Sequence, residues 1–257
     1  MKHTQARVVS SQRVMSCACL LWLEAPEIAS AARPGQFIMV KCGQDNLLRR
    51  PFSIHRVDEN KSRLALLFNQ VGQGTHWLAQ LEAGDSLDLL GPLGNGFDIN
   101  PESRKLLLLA GGIGIAPLLF VADAAIQQGK EVTLIMGAAT GAQLCPESLI
   151  QSSINCATAT DDGSYGHCGL VTELLPKYLE RVDQIFACGP VPMYRTMAQM
   201  PELKGKPVQV SLEVRMGCGF GVCYGCTINT KQGLKQVCQD GPVFNLDDIL
   251  WDEFVDI

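Results

Sequence analysis

Short apolar runs separated by turn-forming residues fill the first hundred residues of the chain. Regularly spaced short strands of this kind are typical of an antiparallel sandwich or barrel. One segment, Thr75–Leu81, reads instead as a short helix. The predicted strands are Arg7–Ser10, Ser16–Leu23, Gln36–Lys41, Pro51–Val57, Arg63–Asn69 and Ser86–Leu89.

The pattern changes from Arg104 onwards. Lys105–Ala110 reads as a buried strand, a glycine-rich turn follows at 111–117, and Leu118–Gln128 reads as a helix that ends at Gly129. Strand, glycine turn and helix in this order are how a parallel α/β sheet begins. Further strands are predicted at Glu131–Met136, Asn155–Thr160 and Gln184–Ala187, and a further helix from Met193.

The last part of the chain has a sequence pattern that differs from both preceding parts. After Pro207–Leu212 come a cysteine-rich loop, a hairpin at Tyr224–Val237 with Gln232–Gly233 as its turn, and an acidic tail. We therefore expect an antiparallel β-barrel domain, a parallel α/β domain and a small C-terminal domain. The predicted boundaries are 1–100, 101–210 and 211–257.

Composition narrows the class of protein. The chain has 257 residues, of which 47% are hydrophobic, so it can bury a sizeable core. Its net charge of -5 disfavours nucleic acid as a partner, because phosphate-binding proteins normally carry a basic excess. The apolar run Cys17–Leu23 is too short for a signal peptide or a membrane span, and we expect a cytoplasmic protein.

Four cysteines near the C-terminus have the most specific spacing in the chain. The order Cys-x4-Cys-x2-Cys-x11-Cys is the plant-type 2Fe-2S spacing with a distant fourth ligand. A structural zinc is the alternative, but zinc ribbons use two Cys-x2-Cys pairs and only one such pair is present. The predicted cluster ligands are Cys218, Cys223, Cys226 and Cys238.

Two segments of the first domain suit a phosphate group. In Arg50–Ser53, arginine and a serine hydroxyl can bind a diphosphate, while Phe52 offers an apolar face to a planar ring. The alternative is that this arginine is a surface residue before an edge strand, which would produce the same sequence pattern without binding a phosphate. Gly74 and Thr75 open the predicted helix, where backbone amides can meet a phosphate.

Two segments of the second domain suit a dinucleotide. Gly111, Gly112 and Gly114 form the turn after its first strand, but Pro117 stands where the full fingerprint has its third glycine. Cys188, Gly189 and Pro190 end a later strand, and ligands of such sheets bind at the carboxyl ends of strands. A buried cysteine that closes a strand is the alternative for Cys188.

The predicted cluster and dinucleotide sites together imply electron-transfer chemistry. A nicotinamide exchanges two electrons as hydride, whereas an iron-sulfur cluster exchanges one, and a flavin can convert between the two. The histidines at 3, 55, 76 and 167 are scattered, and no Ser/His/Asp or paired-carboxylate site competes. We expect an oxidoreductase in which cofactors supply the reactive groups.

The ordered motifs resemble those of the ferredoxin-reductase superfamily. They are Arg-Pro-Phe-Ser-Ile, Gly-x-Gly-Thr, Gly-Pro-Leu-Gly-Asn-Gly-Phe at 91–97, Gly-Gly-Ile-Gly-Ile-Ala-Pro and Cys-Gly-Pro. The four cysteines and Val-Cys-Gln-Asp-Gly-Pro-Val-Phe resemble the electron-transfer subunits of type B dihydroorotate dehydrogenases. The resemblance spans nearly the whole chain.

This resemblance implies FAD, a 2Fe-2S cluster and NAD as cofactors. It also implies a catalytic partner subunit that carries FMN, in a heterotetramer of two of each subunit, and a role in pyrimidine (UMP) biosynthesis. The loop 137–140 lacks the arginine of many relatives, which favours NAD over NADP. For FAD the resemblance implies Arg50, Pro51, Phe52, Ser53, Leu67, Phe68, Asn69, Gly74 and Thr75.

Two other functions remain open at this point. Flavin and iron-sulfur subunits of hydrogenases, sulfide dehydrogenases and ferredoxin:NAD(P) transhydrogenases share the same layout. Some of them replace the first cysteine with an acid, so Cys218 favours dihydroorotate. The second open function is a redox sensor, which would use the cluster as a switch without turnover.

Overall fold

The computed structural model describes residues 1–43 and 48–254. In this part of the chain, seven antiparallel strands form the first sheet in the order β4-β3-β7-β1-β2-β6-β5. The sheet curves into a half-barrel, which confirms the predicted class of the first domain. Its strands are β1 (Lys2–Arg13), β2 (Ala18–Glu24), β3 (Phe37–Val40), β4 (Arg50–Ser53), β5 (Arg56–Val57), β6 (Arg63–Asn69) and β7 (Ser86–Leu93).

One predicted strand of this sheet is wrong. Instead of a single strand over 51–57, the chain changes partner between β4, which pairs with β3, and β5, which pairs with β6. At the change, the Ile54 amide donates to Gln36 and the His55 amide to Ala65. Hydrogen bonding to two different strands breaks the run in two, and hydrophobic spacing carries no sign of it.

The second sheet is mostly parallel, as predicted. Its described strands lie in the order β11-β10-β9-β8-β12-β13-β16, and the last of them, β16, runs antiparallel to β13. The C-terminal segment therefore lends a strand to this sheet. The strands are β8 (Lys105–Gly111), β9 (Glu131–Ala138), β10 (Asn155–Thr160), β11 (His167–Cys168), β12 (Gln184–Cys188), β13 (Val208–Ser211) and β16 (Val243–Asn245).

Helices are few and short in the described residues. The predicted helix after the glycine turn begins at Ile115 rather than Leu118, because a 3₁₀ turn over Gly112–Gly114 leads directly into it. The α-helices are α1 (Pro26–Ala29), α2 (Gln73–Ala79), α3 (Ile115–Gln127), α4 (Val191–Gln199) and α5 (Val237–Asp240). Further 3₁₀ helices occupy 141–143, 147–149, 171–177, 179–181, 201–203 and 246–248.

Polar contacts fix the half-barrel to helix α3 of the second sheet. The buried His55 ring donates from Nδ1 to the Ala116 carbonyl at 2.8 Å, and Arg56 forms a two-pronged ion pair with Asp123 at 2.6 and 3.2 Å. Burial lowers the pKa of His55 to about 4, so the ring is neutral at ordinary pH. These contacts hold β5 and the residue before it against α3.

Among its described residues, the cysteine-rich segment has no hydrophobic core of its own. Its hairpin consists of β14 (Thr227–Thr230) and β15 (Gly233–Gln236). Cys226, Val237 and Cys238 are buried in one core with Phe37 and Met39 of β3 and with side chains of the second sheet. A piece this small cannot bury enough surface alone, so it depends on both larger units.

One close approach between this segment and the half-barrel is at Gly219. The residue has φ +83°, and a Cβ built there would lie 2.5 Å from Cγ of Met39 and 2.7 Å from its Sδ. Met39 is fully buried and faces Pro51 across the β3–β4 pair. A glycine is therefore required both by the backbone conformation and by the space against β3.

We predict that Gly219→Ala lowers stability more than Gly233→Ala. Gly233 has a similar φ of +95°, but the space that a Cβ would occupy there is open, so it controls for backbone strain alone. Overlap with buried Met39 should add about 1–3 kcal/mol to the loss. Thermal unfolding of both variants measures the difference, and iron content shows whether the loop still binds metal. Equal losses in the two variants would contradict the contact.

Candidate functional site

One cleft of about 1290 Å³ lies between the half-barrel and the parallel sheet. It brings together every residue that the sequence predicts to bind a dinucleotide, although these residues come from distant parts of the chain. Those lining residues are Arg50, Pro51, Phe52, Ser53, Leu67, Phe68, Asn69, Gly74, Thr75, Gly111, Gly112, Gly114, Pro117, Cys188, Gly189 and Pro190.

The half-barrel wall of the cleft combines one positive charge with an apolar surface. Phe52 of β4 packs edge-to-face on Phe68 of β6, with ring centroids 5.6 Å apart. Arg50 is exposed beside them and donates to the Leu48 carbonyl at 2.7 Å. A flat aromatic ring system with a diphosphate attached needs this pairing of an apolar surface with a nearby cation.

Thr75 orders the loop that precedes α2. Its hydroxyl oxygen accepts hydrogen bonds from the amides of Val71 at 2.9 Å and Gly72 at 3.1 Å, and its hydroxyl donates to the Gly72 carbonyl. At Gly74, a Cβ would lie 3.1 Å from Cβ of buried Cys42. The loop is thus closely packed against the half-barrel where it borders the cleft.

The opposite wall is made by two loops that touch. A Cβ on Gly114 would overlap the carbonyl of Cys188, and one on Gly111 would lie 2.6 Å from Cδ of Pro190. Glycine at these positions lets the turn after β8 meet the loop after β12. The two adjacent strands then present backbone groups to one ligand, which is how open α/β sheets bind dinucleotides.

Tyr194 fixes the loop that follows β12. Its buried hydroxyl donates to the Ser211 carbonyl at 2.6 Å and accepts from the Gly189 amide at 2.9 Å. Burial raises the pKa of the Cys188 thiol to about 12, and the nearby Glu213 carboxylate adds to the rise. Cys188 is therefore a neutral thiol in the wall of the cleft.

Sequence reasoning missed several residues that line the cleft. Glu213 is one; it lines the cleft, and desolvation by neighbouring protein atoms raises the pKa of its carboxyl. Asp161 and Ser211 are others. Ser211 ends β13, and Asp161 directly follows β10. The rule that ligands bind at the carboxyl ends of parallel strands could have found all three.

The four cysteines of the predicted cluster lie in two pairs. The amide of Cys223 points at Sγ of Cys218 at 3.4 Å, and the amide of Cys238 points at Sγ of Cys226 at 3.5 Å. The Gly221 amide adds a contact of 3.1 Å to Sγ of Cys238. Amide donors aimed at sulfur favour the thiolate form that binds metals.

The thiols of the two pairs differ in their environment. Burial alone would raise the pKa of Cys218, but the amides of Phe220, Cys223 and Val222 outweigh it and lower this pKa to about 6. Burial raises the pKa of Cys238 to about 12, and the adjacent Cys226 thiol adds to the rise. One pair is thus partly open to solvent and the other is buried.

This arrangement fits a binuclear cluster. A 2Fe-2S cluster takes four cysteines shared between two irons, and two cysteine pairs match that requirement. Met216 lines the cleft only two residues before Cys218, so the cysteine loop adjoins the cleft.

Comparison with known proteins gives consistent results along the chain. Residues 213–250 match the family model of the iron-sulfur cluster binding domain of dihydroorotate dehydrogenase B. The electron transfer subunit of dihydroorotate dehydrogenase B (NAD(+)) from Desulforamulus reducens is 39% identical over 98% of this chain and 99% of that protein. The corresponding subunit from Geobacillus thermodenitrificans is 37% identical over 95% and 96%.

Solved structures agree on the fold. A structure of an NADH-dependent reduced ferredoxin-NADP oxidoreductase matches with a TM-score of 0.88 and 29% identity, over 96% of this chain and 90% of that one. A ferredoxin reductase of carbazole 1,9a-dioxygenase matches with a TM-score of 0.72 and 22% identity, over 81% and 68%. The second similarity concerns the fold alone.

Helices in the described residues are not long and apolar enough to cross a membrane. The match to the curated relatives extends over both walls of the cleft and the cysteine loop, at 37–39% identity. The chain belongs to the family of electron transfer subunits of dihydroorotate dehydrogenase B (NAD(+)).

Proposed function

We propose that this chain transfers electrons from the FMN of a dihydroorotate dehydrogenase catalytic subunit, through a 2Fe-2S cluster and FAD, to NAD+. One observation carries the proposal: a single cleft has a flavin-suited wall on one side, dinucleotide loops on the other, and the cysteine loop at its edge. The pathway would be pyrimidine (UMP) biosynthesis. The proposed assembly is a heterotetramer of two subunits of each kind, in the cytoplasm.

On the flavin side, we assign Arg50 to the diphosphate and Phe52 to the apolar support of the ring system. Ser53, Gly74 and Thr75 would complete the phosphate contacts, and β6 would supply the remaining flavin contacts through Leu67, Phe68 and Asn69. When bound, FAD supplies the change from one-electron to hydride chemistry, because it exchanges electrons with both a cluster and a nicotinamide.

On the nicotinamide side, the loops Gly111–Gly114 and Cys188–Pro190 would hold NAD+ against the flavin wall, with Pro117 behind the first loop. The neutral Cys188 thiol suits a wall beside a nicotinamide, because it adds no charge to the site. Tyr194 positions this loop by bonding the Gly189 amide. Hydride exchange between flavin and nicotinamide would itself require no acid or base from these loops, so their part would be to hold NAD+ in position.

The cysteine loop would also be the docking surface of the catalytic subunit. Phe220, Val222 and Tyr224 alternate with the cysteines and are 43%, 67% and 70% exposed. Exposed apolar and aromatic side chains beside a redox centre favour a protein contact. This supports a partner that receives electrons from dihydroorotate elsewhere, since the motifs of this chain are accounted for by FAD, NAD and the cluster.

The domain division that we propose is 1–100 for FAD, 101–210 for NAD and 211–257 for the cluster. Residues 44–47 and 255–257 of these ranges lie outside the described residues. The contribution of β16 to the second sheet supports a cluster domain that packs closely on its neighbour.

The transhydrogenase alternative shares this fold, as the 29% identical solved structure demonstrates. Identity is higher, at 39%, to the dihydroorotate dehydrogenase subunit from Desulforamulus reducens. The family model over 213–250, which covers the cysteine loop, is that of dihydroorotate dehydrogenase B. Both observations favour dihydroorotate oxidation.

We predict that Arg50→Ala yields a folded but flavin-poor protein. A charge-assisted contact to the diphosphate is worth about 1.5–3 kcal/mol, or roughly tenfold to a hundredfold in FAD affinity. Flavin titration of the stripped proteins measures the loss. Arg49→Ala is the matched control, because Arg49 bonds Asp88 at 3.1 Å and does not line the cleft. Equal FAD affinity in the Arg50 and Arg49 variants would contradict the assignment.

We predict that Cys223→Ser separates the two halves of the reaction. NADH oxidation by an artificial dye needs only the FAD and NAD sites and should persist at about the unmodified rate. Dihydroorotate-dependent NAD+ reduction in the complex should fall by about 100-fold or more, because a ligand of the cluster is lost. Survival of that reaction would show that electrons take another route. Cys168→Ser, at an exposed cysteine outside the cluster, is the control.

A further inference from the structure

We propose that the C-terminal segment, residues 246–254, positions the loop Cys188–Pro190 for the nicotinamide, through the contact of Trp251 with Tyr194. This inference rests on the proposed function, because it takes this loop as the nicotinamide end of the cleft. The segment follows the cluster hairpin in the chain, yet its aromatic side chains are buried in one core with Tyr194 of α4. A piece of the cluster domain therefore helps to shape the NAD site.

Three aromatic rings connect the segment to α4. Trp251 lies against Tyr194 with ring centroids 5.2 Å apart and 31° between the ring planes. Phe254 lies against Trp251 in turn, with centroids 5.6 Å apart. All three side chains are buried. Rings at these separations attract each other beyond the effect of the area they bury, so the segment limits where the Tyr194 ring can lie.

The Tyr194 hydroxyl joins these rings to the loop after β12. It accepts from the Gly189 amide at 2.9 Å and donates to the Ser211 carbonyl at 2.6 Å. The loop is closely packed, because a Cβ on Gly189 would lie 2.6 Å from Cε of Met193 and 3.0 Å from Cα of Gly111. A displaced Tyr194 ring would therefore break the bond to Gly189 or move the loop.

Arg195, the next residue of α4, holds the segment in place. It donates from Nε to the Trp251 carbonyl at 3.2 Å and from Nη2 to the Phe254 carbonyl at 2.8 Å. Among the described residues, its guanidinium has no carboxylate partner. Charged donors form stronger hydrogen bonds than neutral ones, so these two bonds fix the end of the segment on α4.

The segment is also bonded to the cluster hairpin. The Lys231 amide donates to the Asp248 carbonyl at 2.8 Å, and the Asn229 side chain donates to the Glu253 carboxylate at 2.8 Å. Asn229 belongs to β14, and Lys231 directly follows this strand. The segment thus connects the cluster hairpin to the loop at which we place the nicotinamide.

The segment contributes one side chain to the cleft itself. Phe254 lines the cleft together with Val191 and Tyr194 of α4. Because Phe254 contacts Trp251 and Trp251 contacts Tyr194, it belongs to the end of the cleft at the loop Cys188–Pro190. An apolar wall suits a planar ring such as nicotinamide.

The first test measures the loop without any nucleotide. Trp251→Leu should speed hydrogen–deuterium exchange at the Gly189 amide about tenfold, because the hydroxyl that accepts its hydrogen bond is no longer held in place. Mass spectrometry of the full chain, with FAD and cluster in place, follows the peptide that contains Gly189. Trp251→Phe keeps a ring on Tyr194 and should keep the exchange rate within about twofold of the unmodified rate.

The second test measures hydride transfer. At saturating NADH, Trp251→Leu should slow the reduction of FAD about tenfold, because a displaced loop misplaces the nicotinamide. Stopped-flow absorbance measures this rate. The affinity for ADP-ribose, which lacks the nicotinamide, should change less than about twofold, since its pyrophosphate would bind at the glycine turn after β8. Calorimetric titration measures that affinity.

Arg195→Gln removes the two bonds to the segment without opening the core, so it tests the contact even if Trp251→Leu does not fold. It should shift the exchange rate and the reduction rate in the same directions by about threefold or more. Arg181→Gln is the matched control, because Arg181 is an exposed arginine of the same domain that does not line the cleft. It should leave both rates unchanged.

The inference is overturned if the folded Trp251→Leu and Arg195→Gln variants keep the unmodified rates of Gly189 exchange and FAD reduction. It is also overturned if ADP-ribose affinity falls as much as the rate of FAD reduction, because that would indicate a general loss of the domain. Absence of FAD reduction by NADH in the unmodified protein would instead overturn the proposed function, while exchange at Gly189 still tests the contact. The visible spectrum of FAD and cluster shows that each variant is folded.

Discussion

The structure depends on close contact between the cysteine loop and the half-barrel. Electrons pass between redox centres only over short distances, so a cluster and a flavin must be held together firmly. Here Gly219 lies directly against Met39 of β3, and β3 pairs with β4, the strand that carries the proposed flavin contacts. The loop and the half-barrel also share one buried core, which includes Phe37 and Cys226.

Cysteines near the cleft serve different purposes because their environments differ. Backbone amides lower the pKa of Cys218 to about 6, which prepares a thiolate for metal binding. Burial raises the pKa of Cys188 to about 12, so that thiol stays neutral beside the dinucleotide loops. Spacing identified the first kind of cysteine, whereas the second kind is recognised by its position at the end of a strand.

Much of the fold could be predicted from the sequence. The strands Arg63–Asn69 and Asn155–Thr160 match the prediction at both ends, since apolar runs bounded by turn residues mark them clearly. The break between β4 and β5 could not be predicted, because it depends on which neighbouring strands form hydrogen bonds with this segment. Nor could β16, whose three residues join a sheet made by a distant part of the chain.

The candidate site also contains some residues that could be predicted from the sequence and others that could not. Glycine turns and cysteine spacing carry a local pattern, so these residues could be recognised from the sequence itself. Leu67, Phe68 and Asn69 carry no such pattern and are implied only by the family resemblance. Glu213 and Asp161 are single acids with no motif around them, and only the sheet order makes them neighbours of the other lining residues. Contacts of this kind depend on tertiary structure, which spacing along the chain does not encode.

The central claim is that this chain links NAD+ to a partner that oxidises dihydroorotate. The most direct measurement is NAD+ reduction by dihydroorotate, with the purified chain alone and with its co-purified catalytic subunit. The account predicts no turnover by the single chain, although it oxidises NADH with dyes, and full turnover by the complex. Dihydroorotate oxidation by the single chain, or a complex that reduces dyes but never NAD+, would contradict it.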